Sequence, residues 1–159
     1  MDTRIEFSRS HPAAYKAMLD LQRHVNASGL EAPLMELVKT RASQINACAF
    51  CIDMHTRDAR AHGETEQRLH LLPAWREAPV YSARERAALA WTEALTLVHE
   101  THVPDEAYEV ARSQFSEEEL VALSMAIVAI NGWNRLNIAA RTVPGDYVAG
   151  SLAKLHAGG

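Results

Sequence analysis

The stretch CAFCIDMH, residues 48–55, contains both cysteines of this 159-residue chain. Cys48, Cys51 and His55 follow one another at intervals of three and four residues, which place all three side chains on one face of an α-helix. The thiolate is the reactive form of cysteine, and a nearby histidine or a helix N-terminus favours it over the thiol. A second cysteine can then trap an oxidised first one as a disulfide. The stretch is therefore typical of a redox-active dithiol carried on a helix.

The helix that carries this stretch is predicted to begin at about Cys48 and to end near His62. A break near residues 46–47 would leave both cysteines in the first turn of the helix. There the unpaired backbone N–H groups and the helix dipole stabilise an anion by ~0.3 to 1 kcal/mol. The preceding helix is predicted to begin at Pro33, and it carries Glu36 on a face beside its apolar stripe.

The remaining sequence shows the same helical periodicity. Ser82 to Glu85 and Ser116 to Glu119 each have the form of a capping box at the start of a helix. No segment alternates apolar and polar residues over the length of a strand. The sequence therefore predicts an all-α fold of six to eight helices, in a single domain over residues 1–159. The further helices are expected over residues 10–26, 65–72, 82–101, 105–115 and 116 to about 141.

Composition and charge exclude several classes of partner. With a net charge of −4, the chain offers no polybasic surface for nucleic acid. Its longest apolar run, residues 120–130, is about half of the ~20 residues that cross a bilayer. The N-terminus lacks the pattern of a signal peptide, so we expect a cytoplasmic protein in a reducing compartment. Two cysteines in such a protein are more often catalytic or metal-binding than a structural disulfide.

The two cysteines have three other possible interpretations. A thioredoxin-like site requires a motif that follows a strand, and no strand is predicted. A zinc site would use Cys48, Cys51 and His55, with Glu36, His62 or His70 as the fourth ligand. Structural zinc sites usually combine two separated ligand pairs, whereas this chain has one pair on a single helix, so we expect neither a metal nor a cofactor. In the third interpretation, the two thiols are small apolar residues of a helical core and His55 is a buried, hydrogen-bonded histidine.

The spacing of four residues resembles the signature of a known family. Glu36, Cys48, Cys51 and His55 match the pattern Glu-x11-Cys-x-x-Cys-x-x-x-His of the alkylhydroperoxidase AhpD-like core, in the carboxymuconolactone decarboxylase superfamily. The resemblance covers about residues 33–83. The stretch from residue 131 to 137 is also similar to the C-terminal helix of small members.

The resemblance implies an all-α fold that assembles as a trimer, a hexamer or a related ring, and a dithiol peroxidase that acts on hydroperoxides. It implies that Cys51 attacks the peroxide, that Cys48 resolves the oxidised thiol, and that His55 and Glu36 form a proton relay. A lipoyl-bearing protein or a thioredoxin-like protein is implied as the dithiol reductant. The chain differs at Phe50 and its neighbour Ala49, because well-studied peroxidases have a second histidine between the cysteines.

The residues themselves agree with these roles. His55 lies one turn beyond Cys51, the right interval for accepting the thiol proton, and Glu36 can orient His55 if the two helices pack antiparallel. Two alternatives stay open: a lyase resembling carboxymuconolactone decarboxylase, and a redox-sensing oligomer without catalysis.

We expect several polar residues outside the signature to have structural roles. Asp53 and Asp58 are expected to be solvated or to cap helices. Asn134, Asn137 and Arg141 recur at intervals of three and four on an apolar helix. This spacing predicts a polar seam against another helix or another subunit, and we favour the subunit interface.

Overall fold

The computed structural model describes residues 2–151, and within them the protein contains nine α-helices and no strand. This confirms the predicted all-α fold. Two of the helices are single turns of four residues, and they account for the excess over the predicted six to eight. The helices are α1 (Phe7–Ser10), α2 (Pro12–Asn26), α3 (Ala32–Ile45), α4 (Ala49–Ala61), α5 (Glu66–Leu71), α6 (Ala83–Thr96), α7 (Val98–Thr101), α8 (Asp105–Arg112) and α9 (Glu117–Ala140), with a 3₁₀ turn at Leu72–Ala74 after α5.

Helix α3 lies at the centre of the packing and is buried on every side. Leu34 packs with residues of α6, α8 and α9, whereas Leu37 packs with residues of α4, α5 and α6. Met35 contacts a third cluster that α2 and α9 complete. A fully buried side chain of this size contributes ~1.5 to 3 kcal/mol. Because α3 is held from all sides, its polar residues Glu36 and Lys39 are buried with it.

The predicted helix starts are accurate where capping residues mark them. The capping boxes at Ser82 and Ser116 are both present, with the side chain of the first residue and that of the glutamate bonded to each other's backbone N–H. The single helix predicted over residues 82–101 is wrong, because α6 ends at residue 96 and α7 follows as a separate turn. The hydroxyl of Thr101 donates to the carbonyl of Ala94 at 2.8 Å. Ala94 lies in the last turn of α6, where carbonyls have no partner within the helix, so this bond stabilises the break.

The break between α3 and α4 reverses the chain. Ala47 has a left-handed backbone with φ of 54°, and Cys48 is the N-cap of α4. Helix α4 then packs along α3 in the opposite direction. Across the described residues, no helix has the length and apolar character needed to cross a membrane.

Candidate active site

The two cysteines lie at the start of α4, as predicted. The Sγ atom of Cys48 accepts the backbone N–H of Cys51, with 3.4 Å between sulfur and nitrogen. Cys51 is the third residue of the helix, so its sulfur also lies beside the first turn. The two Sγ atoms are close to disulfide distance, and the Cα atoms are 5.3 Å apart. The helix start therefore holds both sulfurs in position to form or break a disulfide.

Glu36 and His55 are brought together by the packing of α3 against α4. His55 Nδ1 lies 2.8 Å from Glu36 Oε2, and Lys39 Nζ donates to Glu36 Oε1 at 2.9 Å. All three side chains are buried. An ionised carboxylate accepts but does not donate, so Nδ1 of His55 carries the proton and Nε2 is left for other chemistry.

Glu36 remains ionised although it is buried. Burial raises the pKa of its carboxyl group, but the charge and hydrogen bond of His55, followed by those of Lys39, outweigh this effect and lower the pKa to about 2. A permanent carboxylate beside His55 stabilises the imidazolium that forms when the ring accepts a proton.

Asn137, on α9, donates its side-chain N–H to Cys51 Sγ over 3.7 Å and to the Trp133 carbonyl at 3.0 Å. The sequence predicted Asn137 to lie in a polar seam against another helix or another subunit, with the subunit interface favoured. The interface is wrong for Asn134, which is buried and donates to the Ser43 hydroxyl at 3.0 Å on another helix of the same chain. The spacing of the polar residues predicted that they share one face of α9, but it did not predict which helices that face contacts.

A cavity of about 800 Å³ lies beside these residues, between α2, α3, α4, α9 and both ends of the described chain. Its wall includes Glu36, His55 and Asn137 but neither cysteine, and the two thiols are 0% and 1% exposed. The cavity therefore ends one side chain away from Cys51. Apolar side chains form much of its wall: Ile5, Phe7, Leu19, Val25, Leu30, Met35, Phe50, Met54, Trp133 and Leu136.

Asp58 also lines the cavity, and the sequence gave no sign of this role. Its carboxylate accepts the Tyr147 hydroxyl at 2.9 Å and the N–H of Gly150 at 2.9 Å, so it anchors the C-terminal segment to α4. Asp53 anchors the same segment by accepting the N–H of Gly145 at 3.0 Å. The interpretation of Asp58 as a solvated or capping residue is therefore incomplete, whereas Asp53 is partly exposed as expected and binds the C-terminal segment as well. These contacts join residues about 90 positions apart, which local sequence patterns do not reveal.

A metal ion would find three ligand types here, since Glu36, His55 and Asp58 present atoms within 4.8 Å of one another. The set fits a cation poorly, because both oxygens of Glu36 are already engaged and the Lys39 ammonium supplies the positive charge. Neither cysteine belongs to this group, so the zinc site considered from the sequence is not assembled in the described part of the chain. The thioredoxin-like alternative also fails, since residues 2–151 provide no strand before the motif.

Comparison with known proteins identifies relatives across most of the chain. The model of the carboxymuconolactone decarboxylase family matches residues 12–94. The uncharacterized protein YdfG of Bacillus subtilis (strain 168) is 45% identical over 139 residues, which cover 87% of this chain and 95% of YdfG.

Solved structures agree with this family. One is ATU0492 from Agrobacterium tumefaciens, a protein of unknown function proposed to be an antioxidant defence protein AhpD. Its structure superposes on this chain with a TM-score of 0.89 at 45% identity, and the match covers 92% of this chain and 100% of ATU0492. The debrominase Bmp8 has a TM-score of 0.74 at 18% identity over 86% of this chain and 74% of its own, which shows a shared fold only. The chain therefore belongs to the carboxymuconolactone decarboxylase family and has its AhpD-like core.

Proposed function

We propose that the protein is a dithiol peroxidase that reduces hydroperoxides through Cys51 and Cys48. One observation carries the proposal: two adjacent sulfurs lie at the N-terminus of α4, one helical turn before His55, which pairs with the buried Glu36 in the wall of a cavity. The fold alone does not decide the reaction, because this architecture also serves the debrominase Bmp8.

In the first step, the Cys51 thiol transfers its proton to Nε2 of His55 and the thiolate attacks the distal peroxide oxygen. The O–O bond breaks, Cys51 becomes a sulfenic acid, and the alkoxide takes a proton from the imidazolium and leaves as an alcohol. Glu36 stabilises the imidazolium during this step.

In the second step, the Cys48 thiol attacks the sulfenic sulfur, a disulfide forms and water leaves. An external dithiol then reduces the disulfide and becomes a disulfide itself. A lipoyl-bearing protein or a thioredoxin-like protein is the proposed reductant.

Access to the buried sulfur depends on the side chains that separate it from the cavity. Asn137 both contacts Cys51 Sγ and lines the cavity, and Phe50 lines it from the start of α4. Rotation of these side chains would open a path without unfolding a helix, and rotamer changes are fast compared with typical turnover.

We also propose a homo-oligomer, a trimer or a hexamer. Val121 and Val128 on α9 are 60% and 55% exposed, and Ile138 on the same helix is 47% exposed. Large apolar side chains that recur along one exposed helix are typical of a surface that another subunit covers.

The test is turnover of cumene hydroperoxide with dihydrolipoamide as reductant. We expect wild-type activity and its loss in Cys51→Ser, while the control Met54→Leu, a change in the cavity wall without a thiol, keeps most of the activity. Activity retained by Cys51→Ser would contradict the proposal. A wild type that forms the disulfide reversibly but consumes no peroxide catalytically would favour the redox sensor, and decarboxylation of a lactone by Cys51→Ser would favour the lyase.

A further inference from the structure

Among the described residues near His55, the cavity wall contains more carboxylates than lysine or arginine side chains. Two carboxylates, Glu36 and Asp58, lie close to His55. Lys39 is the only lysine in the cavity wall within residues 2–151, no arginine lines it there, and the Lys39 ammonium is bonded to Glu36. Asp58 is bonded instead to two neutral donors, the Tyr147 hydroxyl and a backbone N–H. Within residues 2–151, the Asp58 carboxylate therefore has no lysine or arginine partner in the cavity.

The Asp58 carboxylate is held in place rather than free to turn away. Its two oxygens receive the Tyr147 hydroxyl, and one of them also receives the N–H of Gly150. Burial and the neighbouring carboxylate raise the pKa of Tyr147 to about 12, so the hydroxyl keeps its proton and continues to donate at neutral pH. A substrate that enters the cavity thus meets a fixed negative charge.

The rest of the wall suits a large apolar molecule. Side chains such as Leu19, Met54 and Leu136 line it, and its volume of about 800 Å³ lies within the range of ~300 to 1,000 Å³ typical of small-molecule sites. Hydrogen peroxide would occupy a small fraction of this space.

We propose that the cavity selects neutral organic hydroperoxides with a bulky apolar body over those that bear a carboxylate, and that Asp58 is the residue that enforces this selection. The inference rests on the proposed peroxidase function, since it assigns the substrate class of the same site. A substrate carboxylate would lose its water shell, and among the described residues the one lysine of the wall is already bonded to Glu36. At an effective dielectric constant of about 20 the carboxylate would also be repelled by Asp58 across several ångströms. Selection by repulsion of the wrong substrate is a common source of specificity.

The experiment compares cumene hydroperoxide with its para-carboxylate derivative at pH 8, where the derivative is ionised. We expect kcat/KM to favour the neutral compound by about tenfold or more in the wild type. Asp58→Asn keeps an oxygen that accepts the Tyr147 and Gly150 donors but removes the charge, and it should bring the ratio close to one. Asp53→Asn is the matched control, because Asp53 anchors the same segment from α4 but does not line the cavity, and its ratio should equal that of the wild type.

Equal kcat/KM values for the two peroxides in the wild type would overturn the inference, and this comparison requires no variant to fold. An unchanged ratio in a folded Asp58→Asn protein would overturn the role of Asp58. Binding of the two product alcohols, measured by calorimetry, separates this inference from the proposed function. Selective binding of the neutral alcohol without peroxide turnover would contradict the peroxidase and support the cavity assignment, whereas turnover without selectivity would contradict the cavity assignment alone.

Discussion

At the scale of single residues, Glu36 is the buried charge on which the candidate site depends. It accepts from both Lys39 and His55, and these two partners keep it ionised inside the protein. Removing one member of a buried ion pair leaves the other without compensation, which typically costs ~3 to 5 kcal/mol. The same carboxylate thus positions His55 and contributes to stability.

The stability contributed by Glu36 should depend on pH. Its pKa is about 2 in the folded protein and has an ordinary value of 4.5, so protonation favours the unfolded chain. The contribution, about 3 kcal/mol, is complete above pH 4.5 and is lost as the pH falls toward 2. Urea unfolding at several pH values should show this loss in the wild type and not in Glu36→Gln. The exposed control Glu118→Gln should follow the wild type, and a Glu36→Gln profile parallel to the wild type would contradict the expectation.

Asn137 should tune the reactivity of Cys51. It donates an N–H to the sulfur, and hydrogen bonds to a charged acceptor are worth ~1.5 to 3 kcal/mol. In a Cys48→Ser background, where one thiol remains, Asn137→Leu should raise the pH of half-maximal alkylation of Cys51 by iodoacetamide by about one unit. Leu136→Ala, which alters the cavity wall at the next position, is the control. The same midpoint in both variants would show that the amide does not act on the thiolate.

At the scale of secondary structure, the break between α3 and α4 creates the site. Ala47 adopts φ of 54°, a conformation that costs an alanine ~1 to 2 kcal/mol. Ala47→Gly should therefore stabilise the reduced protein by about 0.5 to 1 kcal/mol in urea unfolding, after the extra entropy of the unfolded glycine is subtracted. The control Ala42→Gly, inside α3, should destabilise it instead by about 1 kcal/mol or more. A loss of stability in Ala47→Gly would contradict the assignment of strain to this break.

The sequence predicted the helices better than the contacts between them. Helix periodicity and capping residues located most elements, and the spacing of Cys48, Cys51 and His55 placed them on one helix. The sequence of α3 alone did not reveal the neighbours of Glu36, because its burial results from α4, α6 and α9 packing around α3. Asn137 and Asp58 join the site through contacts that span more than 80 residues of sequence. Periodicity reports only which face of a helix is apolar, so such partners appear only after folding.

At the scale of the whole molecule, the exposed apolar side chains of α9 predict assembly. Val128→Arg should convert the oligomer into a smaller species in light scattering coupled to size exclusion, because a charged side chain is costly at a buried interface. Val148→Arg changes an exposed valine of the C-terminal segment, 70% exposed, and should leave the assembly intact. A wild type that is monomeric at all concentrations would contradict the proposed oligomer.

We propose that Cys51 reacts with peroxide and that Cys48 resolves the oxidised Cys51. The most direct measurement doses reduced protein with one equivalent of cumene hydroperoxide and maps the thiols by mass spectrometry, with a reagent that traps sulfenic acid. We expect a Cys48–Cys51 disulfide in the wild type, a trapped sulfenic acid on Cys51 in Cys48→Ser, and no oxidation of Cys48 in Cys51→Ser. Unmodified thiols in the wild type, or a sulfenic acid on Cys48 in Cys51→Ser, would contradict the claim.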